Sequence, residues 1–175
     1  MRTEFTWVGG RPSVDFTATL GKREQTPFER IPEVGDLGRW FTESGLTRQA
    51  PPVSPAVRGM AIELREALYR LFSGTGVAAD VEVVNRWSSR RLAGPRLTPD
   101  LALEHASPQA TDLLSTLARD AVDLLTGPYA GRIRTCAADD CSLLFVDTSR
   151  PGTRRWCSMS TCGARAKMAA YRAAD

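Results

Sequence analysis

Four cysteines near the carboxyl end are the residues of this 175-residue chain best suited to chemistry, and the sequence contains no others. They form two close pairs, Cys136-x4-Cys141 and Cys157-x4-Cys162. Each pair closes a small loop that points two thiolates at one ion, and the insert carries the second pair across to the first. The pattern predicts one tetrahedral Zn2+ ion with a structural role, because four thiolates leave no open coordination position for water or substrate.

Two disulfides, or four unrelated buried thiols, are the alternative interpretation of these cysteines. The chain begins Met1-Arg2-Thr3-Glu4 without an apolar signal segment, and no stretch approaches the length of a membrane span. We therefore expect a cytoplasmic protein without membrane association. Close cysteine pairs in a reducing cytoplasm bind metal more often than they form disulfides, which favours zinc.

Positive charge is concentrated around the cysteines. Residues 132–175 contain eight basic and four acidic side chains, a net charge of +4, whereas the first 131 residues have a net charge of −1. This asymmetry indicates an anionic partner for the segment, with nucleic acid as the first candidate, and a solvated charged surface is the alternative. The candidate nucleic-acid contacts are Arg150, Arg154, Arg155, Arg165, Lys167 and Arg172.

The elements that must position the cysteines can be predicted from the local sequence. Leu144, Phe145 and Trp156 are expected to pack beside the metal, because so short a segment cannot fold by apolar burial alone. The predicted order of knuckle, hairpin and helix is that of a treble-clef zinc finger. The elements are a strand at 132–135, a knuckle at 137–140, a strand at 143–147, a turn at 148–153, a return at 154–156 and a helix from about residue 160.

Helical periodicity dominates the first 131 residues. With 42% hydrophobic and 25% charged residues, the composition is that of a soluble globular protein with one ordinary core and a small appendage. The predicted fold class is mainly α: a helical domain with a short β-hairpin at 1–131, followed by a treble-clef-like zinc finger at 132–175. Two short strands are expected within 5–16, helices at 34–46, 54–73, 80–92 and from Ser107 to Gly127 (the longest), and an irregular stretch or hairpin at 94–104.

Several of these motifs resemble known domains, and together they cover almost the whole chain. The carboxyl-terminal motif is similar to the CGNR-type zinc finger, and the amino-terminal motif resembles the helical domain that usually precedes it, called ABATE. The resemblance implies a bacterial transcription regulator with a link to stress responses. The motifs are Cys136-x4-Cys141-x3-Phe145, 147–150, 154–159, 162–167, Val8-Gly9-Gly10-Arg11 and Asp15-Phe16.

Two residues depart from the family pattern. Ala164 stands where the zinc finger has its namesake asparagine, and Ala18 replaces the asparagine of the usual Phe-Val-Asn-Thr run. Neither position is a metal ligand. The two replacements therefore put in question the hydrogen bonds that these asparagines would make in this chain.

The leading functional prediction is binding of double-stranded DNA, with arginines on a rigid zinc-stapled surface facing phosphates and one or two reaching base edges. The alternative is a zinc-finger module that binds another protein without direct DNA contact. A homodimer would add specificity, although the sequence shows no heptad seam.

The helical domain invites a second prediction, that of a small-molecule effector. A pocket near Trp7, Asp15, Trp40 or Trp87 would receive it, and the alternative is that these aromatic residues simply form the core. We do not expect an enzyme. The single histidine, His105, lies in polar surroundings, and no nucleophile–base pair is present.

Overall fold

The computed structural model describes residues 4–92, 96–104 and 108–173. Within them the chain is mainly helical, which confirms the predicted fold class. Its helices are α1 (Pro12–Thr17), α2 (Val34–Glu43), α3 (Pro55–Ser73), α4 (Ala78–Ser88), α5 (Ala110–Thr126) and α6 (Ala164–Ala173). Its strands are β1 (Leu20–Gly21), β2 (Phe28–Glu29), β3 (Arg96–Leu97), β4 (Leu103–Glu104), β5 (Ile133–Thr135) and β6 (Leu144–Val146), which pair in sequence as three antiparallel two-stranded sheets.

The two long helices begin and end at local sequence signals. The Ser54 hydroxyl accepts a 3.2 Å hydrogen bond from the Val57 N–H, and α3 ends at Gly74, whose φ of +80° suits glycine. Helix α5 begins later than predicted, because Gln109 is its N-cap and its N–H is bound by Asp112. Ser107 itself lies outside the described residues. With 19 residues against 17, α3 is longer than α5, so the predicted order of lengths was wrong.

The amino-terminal segment differs most from its prediction. Two strands were expected within 5–16, but the structure has α1 there and assigns no strand to the described residues 4–16. Gly10, with a φ of +79°, turns the chain, and Pro12 occupies the first helical turn, where its missing N–H costs nothing. The Asp120 carboxylate of α5 then accepts 2.9 Å and 2.5 Å hydrogen bonds from the backbone N–H and the hydroxyl of Ser13. A contact across 107 residues therefore supports this element.

The α4 prediction was close, with both boundaries shifted. Asp80 was expected to start the helix near 80–92, but it lies at the third helical position and binds the N–H of Val77 at 3.0 Å. Helix α4 therefore begins at Ala78, and it ends at Ser88. Helix α2 likewise ends at Glu43, two residues before Gly45, whose φ is +77°.

One apolar core connects the helices with the cysteine-bearing segment. Helix α1 packs on α3, α5 and β6, and α4 packs on α3 and α5. Leu144 and Val146 of β6 are buried in the same cluster as Phe16 and Trp40, and the Val146 N–H donates a 2.9 Å hydrogen bond to the Gly9 carbonyl. Apolar packing is thus continuous between the segments before and after residues 131–132. The division of the chain into two domains at this point stays a prediction. None of the helices in the described ranges is long and apolar enough to cross a membrane.

Candidate metal centre

The four cysteines converge from three local segments. Cys136 and Cys141 lie in the loop between β5 and β6, Cys157 follows an extended segment, and Cys162 lies in a π-helical turn just before α6. Their Sγ atoms all lie within 4.8 Å of one another. Three of the side chains are buried and that of Cys141 is half-buried. The predicted ligand set is therefore brought together at one point.

The sulfur separations test whether this set suits zinc. The Sγ atoms of Cys141 and Cys157 are 3.8 Å apart, and those of Cys157 and Cys162 are 3.6 Å apart. A tetrahedron with Zn–S bonds of about 2.3 Å has edges of about 3.8 Å. All four thiols are free, and separations of this size are far longer than a disulfide bond, so the disulfide alternative was wrong. The donor set fits one zinc ion, which would supply the positive charge that holds four thiolates together.

The knuckle is held by backbone hydrogen bonds, and it differs from its prediction in one respect. The hairpin was expected after the knuckle, but β5 pairs with β6, Thr135 facing Leu144, so that the hairpin encloses the knuckle as its loop. The extended segment 154–156 has no strand assignment and instead accepts a 2.8 Å hydrogen bond at the Arg155 carbonyl from the Ala137 N–H. The two halves of the site are therefore tied by backbone as well as by their ligands.

Crowding shifts the acidity of the thiols in opposite directions. The hydrogen bond from the Cys157 thiol lowers the pKa of Cys141 to about 5, and the same contact together with burial raises the pKa of Cys157. Burial also raises the pKa of Cys136. A metal ion must displace the protons that remain, so zinc binding at this site releases protons and weakens as the pH falls.

Two of the predicted DNA-contacting arginines are bound into the metal site. Arg165 forms an ion pair with Asp140 of the knuckle, and its Nη2 lies 3.2 Å from the Cys162 Sγ. Arg154 donates to the carbonyl oxygens of Trp156, at 2.9 Å, and of Cys157, and its guanidinium lies 4.4 Å from the centre of the Phe145 ring. These two side chains link the parts of the zinc site, and their predicted role in DNA binding stays a prediction.

Asp147 begins the motif 147–150 and has a structural role that the sequence analysis did not assign. Its buried carboxylate accepts hydrogen bonds from the N–H of Ser149 at 2.9 Å, the Ser149 hydroxyl at 2.5 Å and the N–H of Arg154 at 2.8 Å. The Ser149 hydroxyl in particular holds the pKa of Asp147 below its usual value. The spacing Asp-x-Ser was the available signal, because an aspartate that binds the backbone two residues on is a common turn motif.

The other predicted cations are exposed and little engaged. Neither Arg150 nor Lys167 has a hydrogen-bond or ion-pair partner among the described residues. Arg155 stacks on Trp156 with its guanidinium carbon 5.0 Å from the ring centre, and Arg172 donates a 3.3 Å hydrogen bond to the Met168 carbonyl. These four side chains stay available to an anionic partner.

A loop of the helical domain rests on the knuckle. The β1–β2 loop, residues 22–27, places the Arg23 N–H 3.0 Å from the Ser142 hydroxyl, and Gln25 donates a 2.7 Å hydrogen bond to the Asp139 carbonyl. The Arg23 side chain continues into α3, where it forms a 2.5 Å ion pair with Glu66. Contacts therefore run from the metal site into the middle of the helical domain.

The candidate effector residues occupy different environments. The ring centres of Trp7 and Trp40 are 5.7 Å apart, with Trp40 buried and Trp7 42% exposed. Asp15 accepts a 2.7 Å hydrogen bond from the Gly9 N–H, and burial raises its pKa to about 6. Trp87, also in the core, lines a separate 340 Å³ pocket between α3 and α4. Their role in ligand binding stays a prediction, and His105 lies outside the described residues.

Comparison with known families adds to this geometry. A family model named ABATE, described as "Putative stress-induced transcription regulator", matches residues 10–128, and the CGNR zinc finger model matches residues 132–174. Their order is the one that the motifs predicted. The zinc finger match and the clustered sulfurs together confirm the prediction of one zinc site. No curated protein matches the chain.

Proposed function

Since this chain belongs to the ABATE family, described as putative stress-induced transcription regulators, we propose that it binds double-stranded DNA through its zinc finger, residues 132–173. The zinc ion would be structural in this protein. It would hold the finger rigid, so that the cationic side chains meet the DNA backbone in one fixed arrangement.

The observation that carries the proposal is the division of the six predicted DNA-contacting cations into two groups. Arg154 and Arg165 are engaged with the metal site, whereas four others project into solvent. Unpaired surface cations on a rigid module are suited to phosphate, because they have no internal ion pair to give up. The available group consists of Arg150, Arg155, Lys167 and Arg172.

The arrangement of the metal site supports a non-catalytic role. Four cysteine ligands complete a tetrahedral shell and leave no position for a substrate or an activated water. We propose accordingly that the protein is not an enzyme. We also propose a cytoplasmic location, where DNA is accessible and the thiols stay reduced.

The helical domain would supply the regulatory input. We propose a small-molecule effector bound near the Trp7–Trp40 pair and Asp15, or in the pocket at Trp87, and a homodimer as the DNA-binding unit. The contacts of loop 22–27 with the knuckle support such a role, because a change in the helical domain can reach the finger through them.

A protein-interaction module without DNA contact is the second candidate function. One observation favours it: Met159, Met168 and Tyr171 of the finger are 67%, 55% and 67% exposed. Exposed apolar side chains of this size are common at protein interfaces. The two candidate functions differ in how strongly the affinity for duplex DNA should depend on salt concentration.

Titration of zinc-loaded protein with duplex DNA at several salt concentrations tests the proposal. Four available cations predict a slope of log affinity against log salt of about −3 to −4. In the variant Arg150→Ala/Arg155→Ala the slope should become shallower by about two. The matched control Arg48→Ala/Arg91→Ala removes the same charge from exposed residues of the helical domain and should leave the slope unchanged. Binding that is weak and insensitive to salt would overturn the proposal.

A further inference from the structure

Helix α6 is the element of the finger with the least packing inside the chain. It has ten residues, and none of these, all within the described range, is buried. A helix this short is marginal in water, because its own hydrogen bonds barely offset the cost of nucleation. It is anchored at its first turn, by the ligand Cys162 just before it and by the Arg165–Asp140 ion pair. The rest of the helix extends away from a fixed base.

Two neighbouring stripes run along α6. Arg165, Ala169 and Arg172 face the knuckle across a cavity of about 530 Å³, which Trp156 also lines. The other stripe, at positions i, i+3, i+4 and i+7, takes no part in lining this cavity. It consists of Ala164, Lys167, Met168 and Tyr171, and all four are exposed. We call it the outer stripe.

The charge of the helix selects the kind of partner. Residues 159–173 contain three cations and no acidic side chain. A second copy of α6 laid against the first would bring cations together with no acidic side chain of the helix to pair them, whereas a polyanion matches them. At a rise of 1.5 Å per residue, α6 is about 15 Å long, and a helix of this size enters the major groove of B-DNA.

We propose that α6 is the element that reads the DNA sequence, with its outer stripe in the major groove. This inference rests on the proposed function and specifies which surface of the finger contacts the bases. Lys167 supplies a donor for the guanine acceptors, Tyr171 a hydroxyl, and Met168 an apolar surface for the thymine methyl group.

Two features of the chain suit this assignment. Ala164 starts the outer stripe, and its small side chain lets the first turn approach the base edges closely without a hydrogen bond of its own. Arg165 fixes the direction of the helix through two separate contacts, with Asp140 and with the Cys162 sulfur. Base contacts require such a rigid support, because a hydrogen bond tolerates little displacement.

Lys167→Ala and Arg172→Ala form a matched pair for the test. Each removes one positive charge from α6 and introduces a good helix former, but only Lys167 lies on the outer stripe. A preferred sequence is first selected from random duplexes with zinc-loaded wild-type protein. Affinity is then measured for that sequence and for a scrambled duplex of equal length.

We expect Lys167→Ala to lower the ratio of the two affinities about tenfold or more, since it removes a base contact. Arg172→Ala should weaken both duplexes equally and leave the ratio unchanged. If the wild type binds duplexes but both variants keep its ratio, the inference fails and the proposed function stands. A wild type that binds no duplex overturns both, and self-association lost in Met168→Ala/Tyr171→Ala would then assign the outer stripe to a second copy of the chain.

Discussion

The backbone N–H of Arg23 donates a 3.0 Å hydrogen bond to the hydroxyl of Ser142, the residue that follows the zinc ligand Cys141. Ser142 is only 7% exposed, so this bond lies where water competes poorly for its two partners. Together with the contact of Gln25, it fastens loop 22–27 of the helical domain to the knuckle. The metal site and the helical domain are therefore mechanically connected.

Removing zinc should lower the stability of the whole chain. Leu144 and Val146 of β6 lie in the common core, so loss of the metal loosens a strand on which α1 packs. At a thousandfold excess of free zinc over its Kd, binding adds about 4 kcal/mol, which corresponds to a rise in Tm of about 10 °C for a chain of this size. Thermal unfolding with zinc, with a chelator and after zinc is restored measures the effect. A single unfolding transition that a chelator leaves in place would contradict it.

Ser142→Ala should accelerate zinc release. The substitution leaves the Arg23 N–H without its acceptor at a buried position, which costs about 1–3 kcal/mol and loosens the loop that supports the knuckle. The rate is measured by transfer of zinc to a chromogenic chelator. Ser115→Ala is the matched control, because Ser115 is also buried and its hydroxyl also bonds to the backbone, here by donating to the Trp87 carbonyl within the helical core. Equal release rates in the two variants would show that the loop does not support the metal site.

Arg165→Ala should weaken zinc binding about 10- to 100-fold, the usual effect of losing a partner that orients a ligand. Arg165→Lys should restore only part of this affinity, because one ammonium group cannot bind both Asp140 and the Cys162 sulfur as the guanidinium does. Competition with a chelator of known affinity measures the change. Lys167→Ala removes a neighbouring charge without a partner among the described residues and should retain wild-type affinity. Wild-type affinity in Arg165→Ala would contradict the assigned role.

Asp15→Asn should change the pH dependence of stability. Burial raises the folded-state pKa of Asp15 from 3.8 to about 6, so the folded chain holds this proton more tightly than the unfolded chain does. The contribution of protonated Asp15 to the free energy of unfolding is therefore fully present below pH 3.8 and is lost as the pH rises through 6. Relative to wild type, Asp15→Asn should gain about 2 kcal/mol between pH 4.5 and pH 7.

Urea unfolding of both proteins at the two pH values measures this difference, and the comparison cancels any change in zinc occupancy that they share. Glu82→Gln, which alters an exposed carboxyl on α4, controls for the loss of a surface charge. A gap between Asp15→Asn and wild type that stays constant across the pH range would show that Asp15 is not held protonated by burial.

Much of the site was predictable because its signals are local. The cysteine spacing indicated one zinc ion, and Ser54 and Gly74 marked the ends of α3 through interactions within a few residues. The charge surplus of residues 132–175 was likewise visible in the sequence alone. Hydrogen bonds and metal loops that span so few residues depend little on the rest of the fold.

Only the tertiary structure decided which residues far apart in sequence form hydrogen bonds, strand pairs and ion pairs with one another. Asp120 binds Ser13 and supports a helix where strands were expected, and β6 pairs with β5 around the knuckle. The cations of the finger look alike in the sequence, yet Asp140 and the Cys162 sulfur engage Arg165 while Lys167 stays free of partners in the described part of the chain. Residue type and spacing therefore determined that there is a zinc-stapled basic module. Contacts between segments far apart in sequence decided which arginines hold the module together and which face a partner. The reason is that a cation forms an ion pair or hydrogen bond only with the groups that the fold places beside it.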